Sequence, residues 1–439
     1  MQRLDVAAAE VARMLLLLSF TLLLAQDSTR AHGTLELRDA YRTAEQRNPR
    51  LVAARALADA ARARTASARK PPDPQLQLGV MNYALPEWRA MDAVGMTQLQ
   101  AMQMLPLAGK LGAAGRVADL SAFAEADRAQ DVRWDVRARV AKAFYDVYAA
   151  DRSLAIDRET LRLLQDVRHI AEAMYRVGDG RQADVLRADV EIARMVQDTI
   201  RMTAMRSATA ARLAGLLNGG GMEQSPILPE FPDTTPALDT LNGIAFANRP
   251  MLHAGENELN AAAARVALAR KDIWPDLTVG VQLGQRNGMA GAERMASVMV
   301  GATIPVFARS RQFRMRDEAA AMQQMARAEL DAMRAETMAA VVEAHADLVR
   351  ARTLAGLYQT TLLPQAEAAT ESALASYRVG RVDFMTVLDN RMGVNRYRKE
   401  LVALEAEEGK AWAELEMLMG RELFTSRSRS AATAAGRAP

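Results

Sequence analysis

The chain has 439 residues, and 56 Lys+Arg against 53 Asp+Glu leave a formal charge of +3. So small an excess disfavours a nucleic-acid binder, and the lack of any cysteine excludes disulfide scaffolds, Cys-ligated zinc, thiol catalysis and lipidation on an N-terminal Cys. Hydrophobic residues make up 50% but aromatics only 5%, because Ala dominates the apolar set, which suits long, closely packed helices.

Arg3 and Arg13 flank a segment that turns apolar from Met14 to Ala25 and polar from Gln26. A charged start, a short apolar stretch and small residues beyond it describe a secretory signal over residues 1–31, cleaved after Ala25 or Ala31. An N-terminal anchor is the alternative, but a spanning helix needs about 20 apolar residues. The rest of the chain has no apolar run of even that length, so it cannot enter a membrane as a conventional helix.

A helix is predicted over 36–69, with Ala and branched apolar residues stepped along one face, and Pro71 and Pro72 stop it. The period then switches from 3.6 to 2 at Gln75–Val80, as a strand between two environments requires. Met96–Leu105 reads as its partner, with poorly defined faces, and Pro106 closes the hairpin. A long helical tract over 109–176 follows, about 100 Å at 1.5 Å per residue. The chain turns at Gly178-Asp179-Gly180 and returns as a helix over 182–217. A Gly- and Pro-rich linker, 219–237, comes next.

The same order then repeats. Asn48-Pro49-Arg50-Leu51 matches Arg249-Pro250-Met251-Leu252, and Ala68-Arg69-Lys70 matches Ala269-Arg270-Lys271, both at an offset of 201. Tyr175-Arg176-Val177-Gly178 returns as Tyr377-Arg378-Val379-Gly380 at an offset of 202. Two tandem copies of one supersecondary unit result, 34–218 and 238–420, before a tail at 421–439 that reads as disordered. Copy two comprises a helix over 239–271, strands over 276–283 and 298–304, a long tract over 309–376 and a return helix over 382–420. Pro364 is predicted to split the long tract into two stacked helices.

A lone two-stranded hairpin is marginal, and four strands cannot close a barrel. Their alternation nevertheless suits a wall with lipid on one side and water on the other. Oligomerisation resolves this, several chains each giving four strands to one barrel, and the long Ala-rich helices likewise need neighbours. Tyr83, Trp88, Trp274 and Phe307 stand beside the strands, where aromatic girdles form, although scattered surface aromatics account for them equally well.

The Asn48-Pro49 step, the doubled Ala-Arg-Lys before a strand, Leu-Pro-Leu-Ala-Gly-Lys at 105–110, Tyr-Arg-Val-Gly followed by Asp-Val-Leu or Thr-Val-Leu-Asp, and Leu418-Met419-Gly420 together resemble the TolC family of outer-membrane efflux proteins. Each motif is short, and their duplicated order over 34–420 carries the resemblance. It implies a mainly α fold with transmembrane β: a homotrimer whose twelve-stranded β-barrel sits in outer-membrane lipid and continues into a helical tunnel across the periplasm. It implies a passive exit duct without enzymatic activity or cofactor. The partners would be a periplasmic adaptor and an inner-membrane transporter such as an RND pump.

Under the resemblance, the turns holding Val177, Gly178, Asp179 and Gly180, and Val379, Gly380 and Arg381, are the helix-hairpin tips that meet the adaptor. From the residues alone, the glycines explain only a sharp reversal. The family's tip carries two acids three residues apart that form a constricting ring; here the first is Thr386 and only Asp389 remains. Copy one places Asp184 opposite Thr386 and Arg187 opposite Asp389, so a periplasmic gate of Asp184 and Asp389 is expected, with Arg187 latching one of them. Solvated surface carboxylates are the competing reading.

The four histidines are scattered and suggest no metal site. Methionine is abundant at 25 residues, with Met81, Met91, Met96, Met102, Met104, Met289, Met295 and Met299 in or beside the hairpins. Thioethers suit Cu(I), while apolar filling is the preferred explanation. These features lean toward the family's heavy-metal branch. No Gly-x-Ser-x-Gly, phosphate-binding loop or His-Glu-x-x-His is present. A periplasmic helical-hairpin adaptor and a coiled-coil scaffold are the rival functions, and the full-length duplication speaks against the adaptor.

Overall fold

A computed structural model describes residues 33–91, 95–219, 224–288 and 291–423. The predicted signal segment, most of the predicted tail and Met289 lie outside the described residues.

Each repeat opens with two helices rather than the one expected over 36–69 and 239–271. Helix α1 is Leu37–Arg47 and α2 is Pro49–Ala68. The break falls at Asn48, whose backbone is extended (φ −68°, ψ 121°) because the ring of Pro49 disfavours helical geometry in the preceding residue. Pro49 then sits in the first turn of α2, where a missing amide donor does no harm. Asn48 caps α2 by accepting from the Arg50 amide at 3.0 Å, and its Nδ2 donates to the Leu216 carbonyl at 2.8 Å.

The first strands follow: a short β1, Thr34–Leu35, precedes α1, and β2, Gln75–Met81, follows α2. The hairpin tip holds β3, Tyr83–Ala84, and β4, Arg89–Ala90, before β5, Met96–Leu105. Helix α3 then runs unbroken from Lys110 to Arg176, and α4 returns over Gln182–Leu216. The predicted linker contains β6, Ser225–Pro226, which pairs in parallel with β1.

Repeat two comprises α5, Leu238–Asn248, α6, Pro250–Lys271, β7, Asp276–Gly288, and β8, Gly291–Thr303. Then come α7, Gln312–Leu357, α8, Leu363–Arg378, and α9, Phe384–Met419. Pro364 does not separate two stacked helices as expected. A π-helical turn at Tyr358–Leu362 joins α7 to α8, with helical backbone angles at both junctions. The wider turn is a known way for a helix to absorb a proline-sized defect without breaking.

Strands β2, β5, β7 and β8 form one antiparallel sheet in that order, so the two repeats share a single sheet through β5 and β7. The register gives β5 the faces that its sequence obscured. Leu76, Leu78, Val80, Leu99, Ala101, Val279, Val281, Leu283, Val298 and Val300 share one face. Gln75, Gln77, Gln98, Gln100, Gln282 and Ser297 share the other. Gln103 interrupts the apolar face, but its Nε2 turns to the Pro72 carbonyl at 2.7 Å. Trp274 and Phe307, both exposed, flank the helical end of the sheet, and Tyr83 and Trp88 flank the far end.

The Leu-Pro-Leu-Ala-Gly-Lys run ties sheet to helices. Ala108 and Gly109 adopt left-handed angles (φ 57° and 69°) that swing the chain into α3. Lys110 Nζ then donates to the Trp274 carbonyl and to Asp276 Oδ1, both at 2.8 Å, binding the start of α3 to the start of β7. Below the sheet, the main core joins both repeats around Phe144, Tyr145, Leu213 and Val402. No helix among the described residues is long and apolar enough to cross a membrane.

Candidate functional site

The far ends of the two helical hairpins pack into one tip. Leu164, Val167 and Ala171 of α3, Ala188 and Met195 of α4, Ala373 and Tyr377 of α8, and Phe384, Val387 and Leu388 of α9 make a single apolar cluster. The reversals differ in detail. Gly178 has φ 86°, and the Gly180 and Asp179 amides both donate to the Met174 carbonyl at 3.0 Å. Gly380 has φ 71°, its amide donating to the Tyr377 carbonyl and the Arg381 amide to Ser376, both at 2.9 Å. A side chain at either position would meet open space, so the positive φ is what requires glycine there. Val177 and Val379 are 73% and 65% exposed, leaving apolar side chains at both turn apices. Asp179 and Arg381 are exposed beside them.

Of the four expected gate residues, Asp184 is half-buried in the first turn of α4, while Arg187, Thr386 and Asp389 are exposed. Tyr377 is the group that registers Asp184: burial raises the phenol's pKa first, and the Asp184 charge adds to it. The Tyr377 hydroxyl has no hydrogen-bond partner among the described residues. Thr386 is drawn to Asp383, which accepts from its amide at 3.2 Å and from its hydroxyl. Among the described residues Arg187 makes no ion pair with Asp184 or Asp389. Its charge acts on Asp383, whose carboxyl is held below its ordinary range by the Thr386 hydroxyl, then the Thr386 amide, with Arg187 adding a smaller pull. Asp389 makes no ion pair among the described residues, and its neighbours Val387 and Leu388 turn inward while it turns out.

Asp383 is therefore the tip residue that sequence reasoning missed. The signal was present: an Asp at the position just before a helical run is a preferred N-cap. Among the described residues no group of three or more His, Asp and Glu could hold a metal ion.

Farther up, a polar cluster links the repeats inside the helical bundle. Asp157 of α3 is fully buried and accepts from Lys399 Nζ at 3.0 and 3.2 Å and from Asn395 Nδ2 at 3.2 Å. Asn395 also donates to Thr160 Oγ1 at 2.8 Å. Such a satisfied buried network fixes the register of α3 against α9.

Comparison with known proteins agrees with this duplicated fold. A family model described as outer membrane efflux protein matches residues 40–219 and 241–421, one match per repeat. The cobalt-zinc-cadmium resistance protein CzcC of Cupriavidus metallidurans is 24% identical over 404 residues, 89% of this chain and 91% of that protein. The pyoverdine export outer membrane protein OpmQ of Pseudomonas putida is 26% identical over 66% of this chain and 63% of its own. Among solved structures, CusC superposes with a TM-score of 0.76 at 19% identity, covering 90% of this chain and 96% of CusC. With both repeats matched and the fold shared along its length, the chain belongs to the outer membrane efflux protein family, the outer-membrane channels of tripartite efflux pumps.

Proposed function

We propose that three copies of this chain form the duct. Strand β8 of one copy lies beside β2 of the next, closing a twelve-stranded barrel, and the helices continue it as a tunnel toward the periplasm. One observation carries this reading: among the described residues the sheet ends at β2 and β8 with both edges unpaired, and its two faces are sorted into apolar and polar. An open edge cannot stand in hydrocarbon, because each free amide or carbonyl there costs several kcal/mol. Closure by identical neighbours pairs every edge and turns the apolar face to lipid.

The exposed Val177 and Val379 apices, with Asp179 and Arg381, form the surface that a periplasmic adaptor grips. An inner-membrane transporter such as an RND pump supplies the energy. Asp184 and Asp389, repeated by the threefold axis, form an anionic constriction near the tips. Likeness to CzcC along most of the chain supports metal ions as the cargo class. The test is conductance: purified protein should insert into planar bilayers as a discrete, cation-preferring channel, and a protein that never conducts contradicts the reading.

A further inference from the structure

The strand register sorts the hairpin methionines with a bias that packing does not explain. Met81, Met96, Met102, Met104, Met295 and Met299 all project from the face that carries Gln75, Gln98, Gln100 and Gln282. Not one strand methionine among the described residues projects from the apolar face. A methionine serving as apolar filler belongs on the apolar face, where lipid solvates it freely. Here the thioethers stand among amides, on the side that a barrel turns to water.

They are also grouped. Met81 and Met96 are directly opposed across β2 and β5, which places their Cβ atoms about 4.5–5.5 Å apart. The Met96 side chain leans onto Gly284, where a Cβ would stand 2.7 Å from its Sδ. Gly284 pairs with Met295 on its other side. Two same-face rows toward the helices, Met102, Gly280 and Met299 form a single row across three strands. A Cβ on Gly280 would lie 3.2 Å from Met102 Cγ and 3.6 Å from Met299 Cε, so both side chains converge over the glycine. At Gly280 thioether side chains reach in from both flanking strands beside Gln100 and Gln282, while at Gly284 the reach is that of Met96, which is opposed on β7 by Arg286 in its ion pair with Glu293.

We propose that this luminal face binds soft monovalent metal ions, Cu(I) or Ag(I), at two thioether loci per chain: Met102 with Met299 over Gly280, and the opposed pair Met81 and Met96 beside Gly284. The inference deepens the duct reading and rests on it, since only a closed barrel makes this face a lumen. Neutral soft sulfur discriminates against hard cations such as Na⁺, K⁺ and Mg²⁺, which retain their water. Several weak sites in series let a cargo ion enter without trapping it. Thioethers carry no titratable proton, so binding stays flat across the range in which carboxylates and histidines change charge.

Single-channel recording of the full-length protein in chloride-free nitrate electrolyte tests this, with silver nitrate as the probe. Wild-type channels should show discrete Ag(I) blocking events. A variant carrying Met81→Leu, Met96→Leu, Met102→Leu and Met299→Leu should shorten the block by about tenfold or more, an energy of one decade, with its K⁺ conductance unchanged. The control Met315→Leu, Met322→Leu and Met325→Leu, on a helix, should block like wild type. If the fourfold variant forms no channel, the two pairs made separately, Met81 with Met96 and Met102 with Met299, should each shorten the block. Wild-type channels that conduct K⁺ but show no Ag(I) block, or block unchanged in the methionine variants, overturn the inference and leave the duct reading standing. A wild-type protein that never conducts overturns both.

Discussion

Tyr175 and Tyr377 hold equivalent places in the two repeats, yet Tyr175 is 46% exposed and Tyr377 only 4%. The difference is made one turn later. Tyr377 meets the ring of Phe384 edge-on, centroids 5.6 Å apart, whereas the residue equivalent to Phe384 in repeat one is the exposed Gln182. The second hairpin thus folds inward on an aromatic pair and the first leaves its tyrosine outside, so two similar sequences build an asymmetric tip.

That asymmetry has an energetic signature. Phe384→Ala should destabilise the tip by about 3–5 kcal/mol, as for a buried aromatic, and Gln182→Ala by no more than about 0.5 kcal/mol. Limited proteolysis at the Val379–Arg381 turn against denaturant reads the difference. Equal sensitivity of the two variants contradicts it.

The Asp383 cap predicts a pH dependence. Its carboxyl pKa is depressed in the folded chain by the Thr386 hydroxyl and amide. The stabilisation is therefore fully present above the ordinary carboxylate range and is lost as pH falls through the lowered value. Amide protection factors in the first turn of α9 should fall in acid for the wild type. In Asp383→Asn, which caps without ionising, they should stay flat. An unchanged pH profile in that variant contradicts the assignment.

At the proposed constriction, low-dielectric walls focus the field of carboxylates toward cations. Asp389→Asn should weaken cation preference in bilayer recordings, and adding Asp184→Asn should weaken it further. Arg187→Ala should loosen closure by releasing Asp383 across the α4–α9 boundary, without itself reversing selectivity. Selectivity that survives both Asn substitutions makes these carboxylates ordinary surface groups.

Inside the bundle, Lys399→Met leaves Asp157 buried beside its amide partner without a counter-charge. Losing one member of a buried pair costs about 3–5 kcal/mol. Pairing the change with Asp157→Asn, which keeps an acceptor for Asn395, should recover most of the loss. The denaturation midpoints of the two variants decide the matter, and a double variant no more stable than the single one contradicts it.

Much of this architecture was legible in the residues. The 201–202 offset, the change of period at Gln75 and Asp276 and the prolines after the hairpins are local signals that tertiary packing did not override. What escaped was either hidden under a smooth local pattern or set between distant segments. The break at Asn48 is local to Pro49, but amphipathic periodicity continues smoothly across it and hides the extended residue. The π-turn before Pro364 keeps a helix whole where proline alone predicts a boundary. The faces of β5 became definite only through pairing with β2 and β7, and that register sorted its methionines. At the tip, Arg187 faces Asp383 because α4 and α9 come together, and no spacing along one strand of sequence records that meeting.

The central claim, that identical chains close the barrel edge to edge, is tested most directly by cross-linking. The natural sequence has no cysteine, so introduced pairs report only on themselves. One cysteine is placed within Gln75–Met81 and one within Gly291–Thr303, scanned across both strands, and oxidised in intact outer membranes. A disulfide needs Cα atoms about 4.4–6.8 Å apart, so only pairs opposed across an edge will close. The account predicts a subset of pairs, spaced with strand register, that yields a band of three covalently joined chains and nothing larger. Exclusively monomeric bands across the whole scan, or a ladder that runs past three chains, would contradict it.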